Sequence, residues 1–364
     1  MKKKIYIAFM MALVLSSVTG CGQSAKTSEN IVSSETANGE RSEKNYIVPD
    51  TKITELEDGL SAVRYEGTYG FEDFLEQGGA SSDAEVVEYV SSQLTSNIPK
   101  LLFGGNPFGC STLSVENTDG GNLFGRNFDW NHCSGLIISS RPEEGYASVS
   151  TVNMDFIQAG GLDLSSLPDT AQAVIGLYAP LDGMNEQGFA VSVNMIEDSD
   201  TIEQDTEKPD ITTTTAIRLL LDKAANVEEA LDLLSQYDLH ASMGMMVHLA
   251  LSDAEGRSVV VEYVNNEMVV TETPIVTNFY LAEGEKYGIG TSQSHTRYDI
   301  LNKAFAEQET MTETDVRDAL DSVSKDNFGE FESTEWSIIM NQETKELTYY
   351  HRENYDQGYT LSVE

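Results

Sequence analysis

The chain has 364 residues, with 22 basic against 60 acidic side chains and a formal net charge of −38 at neutral pH. A surface that acidic repels nucleic acid and anionic membrane faces alike, so no nucleic-acid partner is expected. Hydrophobic residues make up 40% of the chain, enough for a substantial core, and there is no internal repeat.

The chain opens on Lys2-Lys3-Lys4, an apolar run from Ile5 to Leu15, and then Val18-Thr19-Gly20-Cys21. The run is too short to remain as a bilayer-spanning helix. Residues 1–21 read as a bacterial lipoprotein signal peptide, with Cys21 diacylated as the mature N-terminus. The expected location is the bacterial cell membrane, lipid-anchored on its extracytoplasmic side. The competing reading is a plain cleaved signal with an incidental cysteine. Residues 22–44 are rich in Ser, Thr, Glu, Asn and Lys and bury too little apolar surface to order themselves, so they read as a disordered tether. In residues 45–109, Ser82 can cap a helix running towards Ile98, with Val86, Val87, Val90 and Leu94 at helical spacing. Phe71, Phe74 and Leu75 add an apolar face.

From Cys110 onward the pattern is strand-rich. Residues 111–117 and 122–129 read as strands, and Thr118-Asp119-Gly120-Gly121 between them has the Asp/Gly chemistry of a tight hairpin turn. Folding on that turn brings Arg126 and Asp129 beside Cys110. A thiolate is the reactive form of cysteine, and a fixed cation nearby lowers its pKa from about 8.5. Arg126 is expected to supply that cation and Asp129 to orient a donor. Further on, residues 173–195 suggest two strands around a Met184–Gly188 turn. Residues 212–236 give helical pieces that bury Ile217, Leu220 and Leu221, then Ala230, Leu231 and Leu234. Strands follow at 245–252, 257–264 and 267–273, separated by Asp253-Ala254-Glu255-Gly256 and Asn265-Asn266 turns. Helices near 296–307 and 313–323 precede final strands at 335–341 and 346–351.

These residues resemble the choloylglycine hydrolase, or linear amide C-N hydrolase, family. It includes bile salt hydrolases, penicillin V acylases and the related acid ceramidase and N-acylethanolamine amidase group. Besides the Cys110 hairpin, the resemblance rests on three segments: Gly183-Met184-Asn185-Glu186-Gln187-Gly188 followed by Val193-Asn194, then Thr277-Asn278, then Ser294-His295-Thr296-Arg297-Tyr298. Their order and spacing hold from residue 110 to roughly residue 360. The resemblance implies an α+β, four-layer αββα N-terminal nucleophile hydrolase fold, here preceded by a helical pre-nucleophile segment at 45–109 and running as a catalytic domain over 110–364. It also implies cleavage after Gly109, so that Cys110 becomes residue one of the working chain and its α-amino group serves as the base. Asp129 would hold that amine, Asn194 and Asn278 would bind the oxyanion, and Arg297 would stabilise the charged site from the other side. The implied substrate is a small-molecule N-acyl amide. Asn194 stands where penicillin V acylases tend to carry Tyr, which leans towards bile salt or lipid amide substrates.

The bland readings are specific too. Cys110 and Cys133 can pair as an extracytoplasmic disulfide. Arg126 and Asp129 can be a surface ion pair, Asn194 and Asn278 ordinary turn residues, and Arg297 a solvated charge. A second function class is a non-catalytic substrate-binding lipoprotein on the same fold. No cofactor is implied: there is no Gly-rich phosphate loop, no CxxC and no His pair at metal spacing. His132, His240, His248, His295 and His351 are dispersed, with no flanking signature for a papain-like Cys–His pair. Asp182, Glu186 and Glu262 could be acid catalysts of a glycosidase, but nothing in the sequence pairs them. Oligomeric state is left open.

Overall fold

A computed structural model describes residues 44–94, 108–158, 164–197, 199, 201–283, 289–328 and 333–364. The signal peptide, Cys21 and nearly all of the tether lie outside the described residues.

The elements run in chain order as β1 (Thr54–Glu57), β2 (Leu60–Glu66), α1 (Phe71–Glu76), α2 (Asp83–Gln93), β3 (Gly109–Asn117), β4 (Asn122–Trp130), β5 (Gly135–Arg141), β6 (Ser148–Asn153) and α3 (Met154–Gln158). Next come α4 (Asp169–Leu177), β7 (Asp182–Asn185), β8 (Ala190–Met195), β9 (Asp210–Thr212), α5 (Thr213–Lys223), α6 (Val227–Leu234) and β10 (Asp238–His240). The rest are β11 (Val247–Ser252), β12 (Ser258–Val264), β13 (Glu267–Glu272), β14 (Ile275–Val276), α7 (Ser292–Glu307), β15 (Thr310–Met311), α8 (Glu313–Ser322), α9 (Lys325–Phe328), β16 (Ser333–Asn341), β17 (Glu346–His351) and β18 (Gly358–Ser362).

Two sheets form the centre. One has nine strands in the order β1-β2-β5-β6-β7-β8-β11-β12-β13, the other seven in the order β14-β3-β4-β16-β17-β18 with β15 beside β3. They face each other, with Ser114 on β3 hydrogen-bonded to Ser252 on β11 and Thr151 on β6 to Tyr349 on β17. Helices α4 and α5 cover the nine-stranded sheet, and α7 and α8 cover the seven-stranded one. This is the αββα layering expected from the resemblance. A second, smaller apolar cluster under α7 and α8 contains Leu113, Leu123, Val316 and Leu320. A Cβ on Gly125 would lie 2.8 Å from Val316, so the bare glycine lets α8 press onto β4.

Three expectations change. Residues 173–177, expected to begin a strand, are the end of helix α4 (Asp169–Leu177): six of its nine residues are buried, and so apolar a stretch shows no clear helical face. Strands β5, β6 and β18 appear where no strand was expected. The segment before Cys110 is more than helical. Ser82 does cap α2, accepting from Glu85 N–H, but β1 and β2 join the nine-stranded sheet, and β2 runs parallel to β5 from Leu60↔Gly135 to Glu66↔Arg141. A parallel partner distant in sequence leaves no local signature.

Candidate active site

The expected hairpin sets the geometry. Gly109 opens β3 opposite Asp129, and Cys110 stands opposite Phe128 in regular antiparallel register. The left-handed freedom of glycine is thus not used at Gly109. Side chains alternate along a strand, so Cys110, Arg126 and Phe128 point between the sheets while Asp129 points under the helices. The Cys110 thiol lies 3.5 Å from the Val193 carbonyl on β8.

The Cys110 backbone is gripped from the other side. β14 pairs with β3 at Val276↔Thr112, which carries the following Thr277 and Asn278 to the start of β3. Cys110 N–H donates to Asn278 Oδ1 at 2.9 Å. Thr291 caps α7 by accepting from Ser294 N–H, and the helix presents Arg297 inward. Arg297 Nη1 donates to the Cys110 carbonyl at 2.7 Å and to Ser111 Oγ at 2.8 Å, and its Nη2 donates to Asn278 Oδ1 at 2.9 Å. Arg297 Nη1 is also 3.4 Å from Asp129 Oδ2. Asp129 accepts from Thr334 Oγ1 at 2.7 Å. Asn278 and Arg297 therefore meet at the amide nitrogen and carbonyl of Cys110, and Asp129 stands behind Arg297.

Arg126 and Asn194 lie on the inter-sheet side. Arg126 Nε is 2.5 Å from Asp182 Oδ2, both side chains being wholly buried, and Arg126 Nη1 donates to Ser192 Oγ and, at 2.9 Å, to the Val193 carbonyl. Trp336 Nε1 donates to Asp182 at 3.0 Å. Asn194 Oδ1 accepts from Ser192 at 2.9 Å, while its Nδ2 donates to the Val276 and Thr277 carbonyls, each at 3.4 Å. Asn278 Nδ2 donates to the Met195 carbonyl at 2.8 Å. In the intact chain both carboxamides are occupied by backbone groups.

A model of the linear amide C-N hydrolases, choloylglycine hydrolase family, matches residues 110–318. The chain belongs to this family. Among solved structures it is similar to two altered forms of conjugated bile acid hydrolase from Clostridium perfringens. Each comparison covers 70% of this chain and 92% of the other, at 19% and 17% identity and TM-scores of 0.51 and 0.50. Penicillin V acylase from Agrobacterium tumefaciens is similar at 19% identity over 66% of this chain and 83% of its own, with a TM-score of 0.46. No curated protein sequence matches the chain. The bile acid hydrolase structures agree with the fold described above, and the family is one of linear amide hydrolases.

Within this hydrolase, one competing reading of Cys110 falls and one expectation about it is corrected. Cys110 and Cys133 are both free thiols, so they form no disulfide. Nor is the Cys110 thiol acidified in the intact chain: burial pushes it up to about 12, and the opposing pull of Arg126 and Arg297 is met by Asp129 and Asp182 pushing upward. Arg126 cannot act as an unbalanced cation because Asp182 neutralises it. The surface ion-pair reading fails as well, since Arg126 and Asp129 point to opposite faces of the sheet and are both buried.

Sequence reasoning missed Asp182 as the partner of Arg126 and missed a second buried pair. His248 Nδ1 lies 3.0 Å from Glu262 Oε1, and His248 Nε2 lies 2.9 Å from the Thr277 carbonyl. Glu262 also accepts from the backbone N–H groups of Leu281, at 2.8 Å, and Ala282, at 2.6 Å. His248 stands opposite Asn194 across β11 and β8. The pair thus grips both ends of the segment that carries Asn278. The available signal was a lone ionisable residue inside each of two apolar strands, Val247–Ser252 and Ser258–Val264, where charge is rarely buried without a partner. Among the described residues no cluster of three His, Cys, Asp or Glu is placed to hold a metal ion.

Proposed function

We propose that the protein hydrolyses the amide bond of small N-acyl substrates with Cys110 as nucleophile and the Cys110 α-amine as base, after the bond between Gly109 and Cys110 is cut. The observation that supports this reading is the convergence of Asn278 and Arg297, the latter paired with Asp129, on the Cys110 backbone rather than on its sulfur. Side chains from α7 and the segment after β14 hold a strand terminus in place, as a site needs when the terminal nitrogen is the working group. An amide nitrogen cannot accept a proton. A free α-amine, with a pKa of about 8, can.

In the cutting step Sγ bonds to the Gly109 carbonyl carbon, the C–N bond to Cys110 breaks and the thiol proton passes to the departing nitrogen. Water then hydrolyses the resulting thioester, leaving a Gly109 carboxylate and a free thiol. In turnover the amine takes the thiol proton, Sγ attacks the substrate carbonyl, and the protonated amine of Cys110 delivers a proton to the leaving amine. Water releases the acid from the S-acyl enzyme. Asn194 and Asn278 stabilise the oxyanion once their present carbonyl partners are displaced. Keeping nucleophile and base on one residue fixes their separation.

In this reading Cys21 carries a lipid anchor on the extracytoplasmic face of a bacterial membrane, and segment 21–109 stays bound to 110–364 after the cut. Its retention is supported by the β2–β5 ladder and by full burial of Phe74, Val86 and Val63. At roughly 25 cal/mol per Å² of apolar surface, several such side chains hold two chains together. The test is a denaturing gel with N-terminal sequencing, alongside amine release from a panel of acyl amides. Two fragments, one beginning at Cys110, are expected together with activity. A single uncut chain that binds acyl amides without turning them over would establish the binding-lipoprotein reading.

A further inference from the structure

The residue before the scissile glycine is a fully buried aromatic. Phe108 is 1% exposed. Its ring lies 5.4 Å from that of Phe128 and 6.0 Å from that of Phe156. Phe156 meets Trp130 edge-on at 4.8 Å, and Phe128 stacks on Trp336 at 4.1 Å. Strand alternation puts Phe108, Cys110, Phe128 and Trp130 on the same inter-sheet face, so this aromatic nest borders the thiol.

We propose that the hollow between Phe128, Trp130 and Phe156, filled by Phe108 in the intact chain, is the acyl-binding subsite of the mature enzyme, and that it takes a flat apolar ring about five bonded atoms from the substrate carbonyl. The proposal rests on the function proposed above. One thiol attacks both the Gly109 carbonyl and the substrate carbonyl. What lies on the acyl side in the first reaction therefore marks where the acyl group lies in the second. On that side come the Cα and N of Gly109, then the carbonyl carbon, Cα and Cβ of Phe108, then the ring. Those five atoms set the length. The cut itself empties the nest. It creates a Gly109 carboxylate opposite Asp129, and two carboxylates side by side in a buried site repel each other. The departing end takes Phe108 with it and leaves aromatic walls without an occupant. Trp130 Nε1 is buried and has no hydrogen-bond partner among the described residues, so the subsite also offers a donor to an oxygen on the acyl group. Acetyl and phenylacetyl groups are too short to reach the nest.

The test has two arms. The first uses the full mature protein with N-acetylglycine, N-phenylacetylglycine and N-(6-phenylhexanoyl)glycine, following glycine release. The kcat/KM for the phenylhexanoyl compound should exceed that for acetyl and that for phenylacetyl by about 100-fold each, the scale expected for burying one apolar ring. A flat profile across the three overturns the proposal. The second arm repeats the series on mature Phe156→Leu, which should lower the phenylhexanoyl-to-acetyl ratio about tenfold, and an unchanged ratio is a refutation. A gel showing wild-type protein uncut counts against the cleavage reading and the subsite with it, whereas a cut, active protein with a flat profile counts against the subsite alone.

Discussion

Two buried arginines show what separates a site from a brace. Arg218 on α5 closes on Asp222 one turn later at 2.6 Å and donates to Ser148 at 2.8 Å. The Tyr69 hydroxyl, from the segment before Cys110, donates to the same Asp222. That network joins two parts of the fold and its charge is balanced locally. Arg297 is also buried, yet its short contacts are the Cys110 carbonyl, the Ser111 hydroxyl and the Asn278 carboxamide oxygen that accepts from Cys110 N–H, while its carboxylate partner sits at the longer 3.4 Å. Burial of charge is common to both. The chemistry is marked by where the donors point: Arg218 holds another side chain, whereas Arg297 holds the main chain of one cysteine.

The comparison breaks first at Cys110. Cys110→Ala should abolish amide hydrolysis and leave the chain uncut, and Cys110→Ser should leave little activity, since a hydroxyl is far less ionised near neutrality. Undiminished turnover by the alanine variant would show that the clamp around Cys110 is only structural. Next in size, Arg126→Lys, Arg297→Lys and Asp129→Asn should each lower kcat/KM by about 10²–10³, because a point charge does not replace a planar fork and an amide does not anchor an amine. A melting temperature that falls in proportion to activity would make these residues braces like Arg218. The converse is Asp222→Asn. It leaves Arg218 unpaired and should cost about 3–5 kcal/mol in denaturant unfolding, with turnover per folded molecule within about threefold of wild type.

The smallest effects belong to His248 and Glu262. His248→Gln should lower kcat by about tenfold by loosening the Thr277–Asn278 peptide. Burial alone would raise the Glu262 carboxyl, but the His248 hydrogen bond and charge and the N–H groups of Leu281 and Ala282 hold it below its ordinary value. A carboxylate held lower in the folded state contributes stability that is fully present above its unfolded pKa of about 4.3 and is lost as pH falls through the depressed folded value. Acid unfolding should therefore show an increment below about pH 4 in wild type that Glu262→Gln lacks.

Local pattern made the Cys110 hairpin legible: two alternating strands and an Asp-Gly-Gly turn place Arg126 and Asp129 without any distant information. Helices α5 to α8 and strands β11 to β13 were legible for the same reason. Asp182, His248 and Glu262 were not, because each meets its partner only when the two sheets close or neighbouring strands pair. Strands β5 and β6 mix Ile137, Ile138, Val149 and Val152 with four serines, and being buried on both faces they show no clean alternation of apolar and polar residues. The state of the Cys110 thiol was misjudged because sequence spacing shows that a cation is near but not that the thiol is buried, the largest upward push, nor that Asp129 and Asp182 oppose the cations. The nest around Phe108 was invisible, since Phe156 arrives from a helix following the opposite sheet.

The central claim is that the working group is the α-amine of Cys110. Intact-mass analysis of the active protein, purified natively and then denatured, tests it most directly. The account requires two species that co-elute before denaturation, the larger with the mass of residues 110–364 and Cys110 at its N-terminus. Full activity in a preparation whose only species is the uncut chain would contradict it.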